Sequence, residues 1–180
     1  KDALAAESAG ADIIGMVFAE SKRRVGLVEA ARICVALKQS TMKAGVFVNE
    51  KPEVVNSVIS ALKLDFVQLS GDEGPSYVES IKGARVIKAL RVRKASEARA
   101  KTRKYGKNVF AFLFDTPKKD SYGGSGETFD WSVVSGIKRR FFVAGGLDAG
   151  NVGDAIRQAE PYGVDASSRL EKTAGKKDLR

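Results

Sequence analysis

Two short turns near the end of the chain contain residue types that bind oxyanions. Each follows an apolar run: Ala144–Leu147 comes after Phe141–Val143, and Asp165–Ser168 comes after Gly163–Val164. Glycine lets the backbone approach an anion, and free N–H groups and hydroxyls donate hydrogen bonds to it. Either turn alone could be an ordinary tight turn, but their joint position on the last two apolar runs favours a phosphate site. The predicted phosphate-binding residues are Gly145, Gly146, Ser167 and Ser168.

A carboxylate ends one of the most apolar segments of the chain. Asp115 directly follows the run Val109–Phe114. Apolar surroundings favour the protonated form of a carboxyl group, which suits it to general acid catalysis. The alternative role is a helix cap or a loop anchor. The glycine-rich segment after it, Thr116–Thr128, resembles a mobile cover over a substrate.

Polar side chains near other strand ends are further candidates for substrate binding. Arg23 lies just beyond an apolar run, and a guanidinium can bind a carboxylate through two hydrogen bonds. The alternative is a solvated basic loop, which composition alone slightly favours. Gln68 could orient a substrate hydroxyl, or it could cap the next helix. Lys88 and Arg91 are similar candidates with less support. Cys34 falls on an apolar helical stripe, so we expect it to pack rather than to act as a nucleophile.

Strand and helix patterns alternate along the sequence, which predicts βα units and a parallel sheet. Pro52 and Pro75 are each expected to begin a helix, and Asp148 is expected to cap the helix that ends near Gln158. An apolar stripe that starts at Leu27 predicts a further helix. The predicted strands are Ala11–Phe18, Lys43–Val48, Leu64–Leu69, Ala84–Leu90, Val109–Asp115, Phe141–Ala144 and Gly163–Ala166.

A helical pattern at the front, Asp2–Ala6, implies one more strand before it, which brings the strand count to the eight that close a barrel. The expected fold class is therefore α/β, a (βα)8 TIM barrel lacking its first strand and last helix. We expect a single domain over residues 1–180, and an open doubly wound sheet is the alternative. Active sites of such barrels lie at the carboxyl ends of the strands, where the candidate residues fall.

The amino-acid composition argues against some kinds of site. The 180 residues contain no histidine and one cysteine, which argues against histidine-based metal sites and excludes an internal disulfide. We predict no metal and no cofactor.

The net charge of +9 suits an anionic substrate. The basic stretch 94–107 lacks an aromatic stacking pattern, so a solvated helix face is favoured over a nucleic-acid partner. With no membrane-length apolar run and no signal segment, we expect a cytoplasmic protein.

The motifs together resemble the phosphoribosylanthranilate isomerase family of tryptophan biosynthesis. The likeness covers essentially the whole chain in order, and the block Gly123–Trp131 is its most specific part. The other matching segments are Asp2–Ala6 with Gly10–Asp12, Gly15–Phe18, Ser21–Arg23, Gly45–Asn49, Val67–Glu73, Val86–Val92, Phe114–Thr116, Ala144–Leu147 and Tyr162–Ser168.

The resemblance implies a TIM barrel that works without cofactor or metal. Its reaction is an Amadori rearrangement, which converts N-(5-phosphoribosyl)anthranilate to 1-(2-carboxyphenylamino)-1-deoxyribulose 5-phosphate. By matching position, Asp115 is implied as the general acid, Arg23 as the residue that faces the anthranilate carboxylate, and the two glycine- and serine-containing turns as the phosphate cradle. The implied partner is a small phosphosugar, and the implied assembly is a monomer or a homodimer.

Three positions depart from the family pattern. The family's general base is a cysteine in a Lys-x-Cys-Gly turn, which these residues do not contain, and Cys34 lies elsewhere. Ser70 stands where a histidine is common, and Arg169 where a glycine is usual. General base catalysis is worth about 10²–10⁴-fold, so we expect these residues alone to be a poor enzyme. The alternatives are another phosphosugar-binding barrel, such as an indole-glycerol-phosphate synthase, or a non-catalytic basic binding protein.

Overall fold

A computed structural model describes residues 1–115 and 130–178. The chain divides into two compact units, one formed by Lys1–Val86 with Lys172–Arg180 and the other by Ile87–Glu171. The predicted cover Thr116–Thr128 and most of the motif Gly123–Trp131 lie outside the described residues. The single domain expected from the sequence stays a prediction.

The first unit contains three parallel strands that pair in chain order. These are β1 (Ile13–Val17), β2 (Met42–Phe47) and β3 (Phe66–Leu69). The helices that accompany them are α1 (Asp2–Ser8), α2 (Leu27–Ala36), α3 (Pro52–Leu62) and α4 (Pro75–Ser80). α3 and α4 begin at Pro52 and Pro75, which confirms the predicted starts. Proline suits the first turn because the N–H groups there have no partner within the helix, so its missing N–H costs nothing.

The second unit contains parallel strands that also pair in chain order. They are β4 (Arg85–Arg91, whose first two residues precede the unit), β5 (Ala111–Asp115), β6 (Phe141–Val143) and β7 (Gly163–Val164). The connecting elements are α5 (Ala95–Arg103), a 3₁₀ turn (Trp131–Val134) and α6 (Val152–Ala159). Phenylalanine rings hold β5 and β6 together, with Phe114 and Phe141 centred 5.5 Å apart and edge to face.

Two helix predictions need correction. Asp148 does not cap α6, because the helix begins at Val152 and Asn151 occupies the cap position. The Asp148 carboxylate instead accepts the Gly150 N–H at 2.9 Å, which stabilises a turn before the helix. The apolar stripe assigned to α2 is only partly right, since Leu27 is 52% exposed while Ala30 is fully buried.

Residues 171–177 form a hairpin. Its strands are β8 (Glu171–Thr173) and β9 (Lys176–Lys177). The Lys177 N–H donates to the Asp2 carboxylate at 3.0 Å, which fixes the end of the chain to α1. Among the described residues, no helix combines the length and apolarity needed to cross a membrane.

Candidate active site

The carboxyl ends of β5, β6 and β7 lie side by side in the second unit. The Ala144 N–H donates to the Phe114 carbonyl at 2.8 Å, and the Asp165 N–H donates to the Val143 carbonyl at 2.9 Å. The strands are parallel, so Asp115 and the two predicted phosphate-binding turns extend from the same edge of the sheet. The structure therefore brings together the candidate acid and the candidate phosphate residues.

Asp115 is the last residue of β5 and is half-buried. Its register partner on β4 is Arg91, so the two side chains project from the same face of the sheet. Lys88 pairs with Phe112 instead, and alternation along a strand places it on the opposite face from Asp115. Of the two weaker candidates, Arg91 therefore lies beside the acid and Lys88 does not.

The turn after β6 is built on two left-handed glycines, Gly145 (φ 88°) and Gly146 (φ 61°). The Asn151 side-chain amide donates to the Gly146 carbonyl at 2.8 Å and accepts the Asp148 N–H at 3.0 Å. The C=O and N–H of one planar peptide point in opposite directions. Because the Gly146 carbonyl faces Asn151, the Leu147 N–H of the same peptide points away from the Asn151 side chain.

The turn after β7 is a single 3₁₀ turn, Ser168–Leu170. It closes through a hydrogen bond from the Leu170 N–H to the Ser167 carbonyl at 3.1 Å. Both predicted serines are half-buried, so their hydroxyls are partly accessible. The next side chain, Arg169, reaches the turn after β6 and pairs with the Asp148 carboxylate at 3.2 Å.

A family model described as N-(5'-phosphoribosyl)anthranilate (PRA) isomerase matches residues 1–180. The chain belongs to this family. A curated N-(5'-phosphoribosyl)anthranilate isomerase from Syntrophomonas wolfei is 46% identical over 180 residues, which cover 99% of this chain and 86% of that protein. This likeness confirms the resemblance drawn from the motifs.

Solved members of the PRA isomerase family have the same fold. The Thermotoga maritima structure superposes with a TM-score of 0.89 at 40% identity, covering 99% of this chain and 87% of that one. A second structure, described as a complex with reduced 1-(o-carboxyphenylamino)-1-deoxyribulose 5-phosphate, gives 0.85 at 35% identity with the same coverage. The expected α/β fold of the TIM-barrel class is confirmed by these matches.

The first unit holds the other two candidates, each near the end of its strand. Arg23 lies in the turn after β1, where its N–H donates to the Ser21 hydroxyl at 3.1 Å. Gln68 is a half-buried residue of β3, and its amide donates to the Ser70 hydroxyl at 3.2 Å. The residue at the start of α4 is Gly74, so Gln68 does not cap that helix. Ser70 thus orients Gln68.

Sequence reasoning missed a network that joins the turns after β2 and β3. One carboxylate oxygen of Glu73, which is 4% exposed, accepts the N–H groups of Asn49 at 2.8 Å and Gly71 at 3.2 Å. The Asn49 side chain accepts the Asp72 N–H at 2.7 Å. Asn49 has a φ of 51°, a left-handed value that asparagine adopts more readily than most residues. An asparagine directly after a predicted strand was the available signal.

Cys34 does not have the properties of a catalytic thiol. It is half-buried in α2, and burial is the main cause that raises the pKa of its thiol. The thiolate is therefore scarce near neutral pH. No cluster of histidine, cysteine or acidic side chains within residues 1–115 and 130–178 could hold a metal ion.

Proposed function

We propose that the chain catalyses the Amadori rearrangement of N-(5-phosphoribosyl)anthranilate to 1-(2-carboxyphenylamino)-1-deoxyribulose 5-phosphate, a step of tryptophan biosynthesis. The observation behind this proposal is the common edge of β5, β6 and β7, where a carboxyl group lies beside two turns suited to oxyanions. Family membership supplies the substrate, since a solved relative is described as holding the reduced product.

In the proposed mechanism, Asp115 donates its proton to the furanose ring oxygen. The C1–O bond then breaks, and the nitrogen lone pair forms a Schiff base. A base removes the C2 proton, and the resulting enol becomes the ketone of the product. Cys34 does not supply that base, because desolvation of its half-buried side chain raises the pKa of the thiol and makes the thiolate scarce near neutral pH. Ring opening is driven by protonation of the leaving oxygen and by the nitrogen lone pair, and the later steps are proton transfers, so acid–base catalysis accounts for the reaction without a metal or a cofactor.

The remaining candidates bind the ends of the substrate. The turns after β6 and β7 receive the phosphate through backbone N–H groups and the hydroxyls of Ser167 and Ser168, with Gly145 and Gly146 allowing the close approach. Arg23 binds the anthranilate carboxylate, a pairing for which the planar guanidinium is well suited. Gln68 orients a sugar hydroxyl. We further propose a cytoplasmic protein that acts as a monomer or a homodimer on this small phosphosugar.

The test is the variant Asp115→Asn, which keeps the shape of the side chain and removes its acidic proton. Turnover should fall about 100-fold or more, the usual contribution of a general acid, because nothing protonates the ring oxygen. The affinity for the reduced product should change less than about threefold, since binding does not need the proton. A fluorescence assay of product formation measures the turnover, and calorimetric titration measures the affinity for the reduced product.

The matched control is Asp154→Asn, which replaces an exposed aspartate of α6. It should leave both quantities unchanged. Equal turnover in the Asp115→Asn variant and the parent chain would remove Asp115 from the role of acid. A parent chain that does not bind the reduced product would refute the proposed function.

A further inference from the structure

One ion pair joins the two turns of the phosphate cradle. The Arg169 guanidinium, on the turn after β7, lies 3.2 Å from the Asp148 carboxylate, on the turn after β6. The two residues are 21 positions apart in sequence, so the pair links separate loops rather than stabilising one of them.

Asp148 is a fixed anchor for this pair. One of its carboxylate oxygens accepts the Gly150 N–H at 2.9 Å, and the other faces Arg169. Its own N–H is held by Asn151, which also binds the Gly146 carbonyl. The guanidinium is therefore connected, through two fixed side chains, to the peptide whose N–H we assign to the phosphate.

The Arg169 side is also constrained, because the residue lies inside the 3₁₀ turn Ser168–Leu170. The ion pair with Asp148 therefore limits how far this turn can move from the turn after β6. A phosphate that needs donors from both turns binds more tightly when the turns are already in place, because less ordering occurs on binding. Because its side chains are 48% and 30% exposed, the pair contributes little to the overall stability of the fold.

We propose that Arg169 is a positioning residue, which together with Asp148 preorganises the two turns for the phosphate group of the substrate. This inference rests on the proposed function, because it takes the turns as the phosphate site.

The experiment is a double-mutant cycle with Asp148→Asn, Arg169→Gln and the two combined. Asparagine keeps the oxygen that accepts the Gly150 N–H and removes the charge that holds Arg169. Calorimetry would measure binding of the reduced product, of inorganic phosphate and of anthranilate, which has no phosphate. Each single variant should weaken the two phosphate-containing ligands about two- to fivefold, the range that an exposed ion pair can contribute.

The double variant should bind no more weakly than either single variant, because both changes break the same link. Anthranilate affinity should stay the same in all variants, and Arg169→Lys should recover part of the loss. The control is Arg157→Gln, which breaks an exposed ion pair with Asp154 inside α6 and should change nothing. Urea unfolding of every variant shows whether the fold is retained.

Four results would overturn the inference. Weaker phosphate binding in Arg169→Gln but not in Asp148→Asn would mean that the arginine contacts the phosphate directly. An equal loss of anthranilate affinity would mean a general structural effect. If the parent chain binds the reduced product and the variants bind it equally well, the inference is refuted and the proposed function is unaffected. If the parent chain does not bind the reduced product, both are refuted.

Discussion

Cys34 is the single cysteine of the sequence, and its chemistry is decided by burial rather than by its neighbours in the chain. Desolvation raises the pKa of its thiol, with Asp65 adding to the effect and Lys43 opposing it. Replacing it with alanine should therefore leave the affinity for the reduced product, and any turnover, within about twofold of the parent. Calorimetry and the turnover assay check this.

The reactivity of the Cys34 thiol provides a second readout. Alkylation by iodoacetamide should be slow at pH 7 and should accelerate as the pH rises, because the thiolate is the reactive form. The Cys34→Ser variant is the control, because it replaces only the sulfur atom of the side chain. Loss of turnover in the alanine variant would show that the thiol takes part in the reaction.

Some site residues followed from the sequence because their positions are local. Asp115 and the two glycines, Gly145 and Gly146, come immediately after apolar runs, so finding the strand also finds the strand end. Residue pairs between loops could not be found this way. Glu73 meets Asn49 across 24 positions and Arg169 meets Asp148 across 21, and these contacts exist only once the strands have aligned.

At the scale of elements, two helices end on residues that are unfavourable there. Lys63 closes α3 with φ 49° and ψ 52°, and Glu160 closes α6 with φ 48° and ψ 53°. The left-handed conformation costs a residue with a Cβ atom about 1–2 kcal/mol, and glycine avoids this cost. Glycine also loses more conformational entropy on folding, which offsets part of that gain. Lys63→Gly and Glu160→Gly should each raise the free energy of unfolding by about 0.5–1 kcal/mol.

The control for this prediction is the end of α5. Lys104 has a right-handed φ of −64°, so glycine there brings only the entropic cost and should lower the free energy of unfolding. Urea denaturation measures all three variants. A loss of stability in both Lys63→Gly and Glu160→Gly would contradict the account of these helix ends.

The strands could be predicted closely because each is a short apolar run between polar residues. β4, expected over Ala84–Leu90, spans Arg85–Arg91, and β6, expected over Phe141–Ala144, spans Phe141–Val143. The hairpin of β8 and β9 could not be predicted, because its strands are polar and β9 is held by a hydrogen bond to a distant residue of α1. Polar segments of this kind show no periodicity from which a strand can be inferred.

At the scale of the whole chain, low pH should reduce the free energy of unfolding through the protonation of two carboxylates. Hydrogen bonds from the Thr41 hydroxyl and the Lys38 N–H hold the pKa of Glu7 below its ordinary value of 4.5. The Lys101 ammonium and the Arg93 N–H do the same for the pKa of Glu97. In both cases the folded state binds the proton more weakly than the unfolded state does.

The stabilisation from these two groups is therefore complete above about pH 4.5 and is lost as the pH falls through the lower folded-state values. The free energy of unfolding should decrease in that window, and the decrease should be shallower in the double variant Glu7→Gln/Glu97→Gln. Urea unfolding at a series of pH values measures both slopes. A double variant with the slope of the parent would contradict the assignment of these two pKa shifts.

The central claim is that one edge of the sheet holds both the phosphate and the acid, and a crystal structure of the chain with the reduced product tests it most directly. The account predicts phosphate oxygens about 2.6–3.2 Å from donors of the turns after β6 and β7. It also predicts the Asp115 carboxyl within the same range of the hydroxyl that was the furanose ring oxygen. A phosphate bound away from those turns, or an Asp115 out of reach of that hydroxyl, would contradict it.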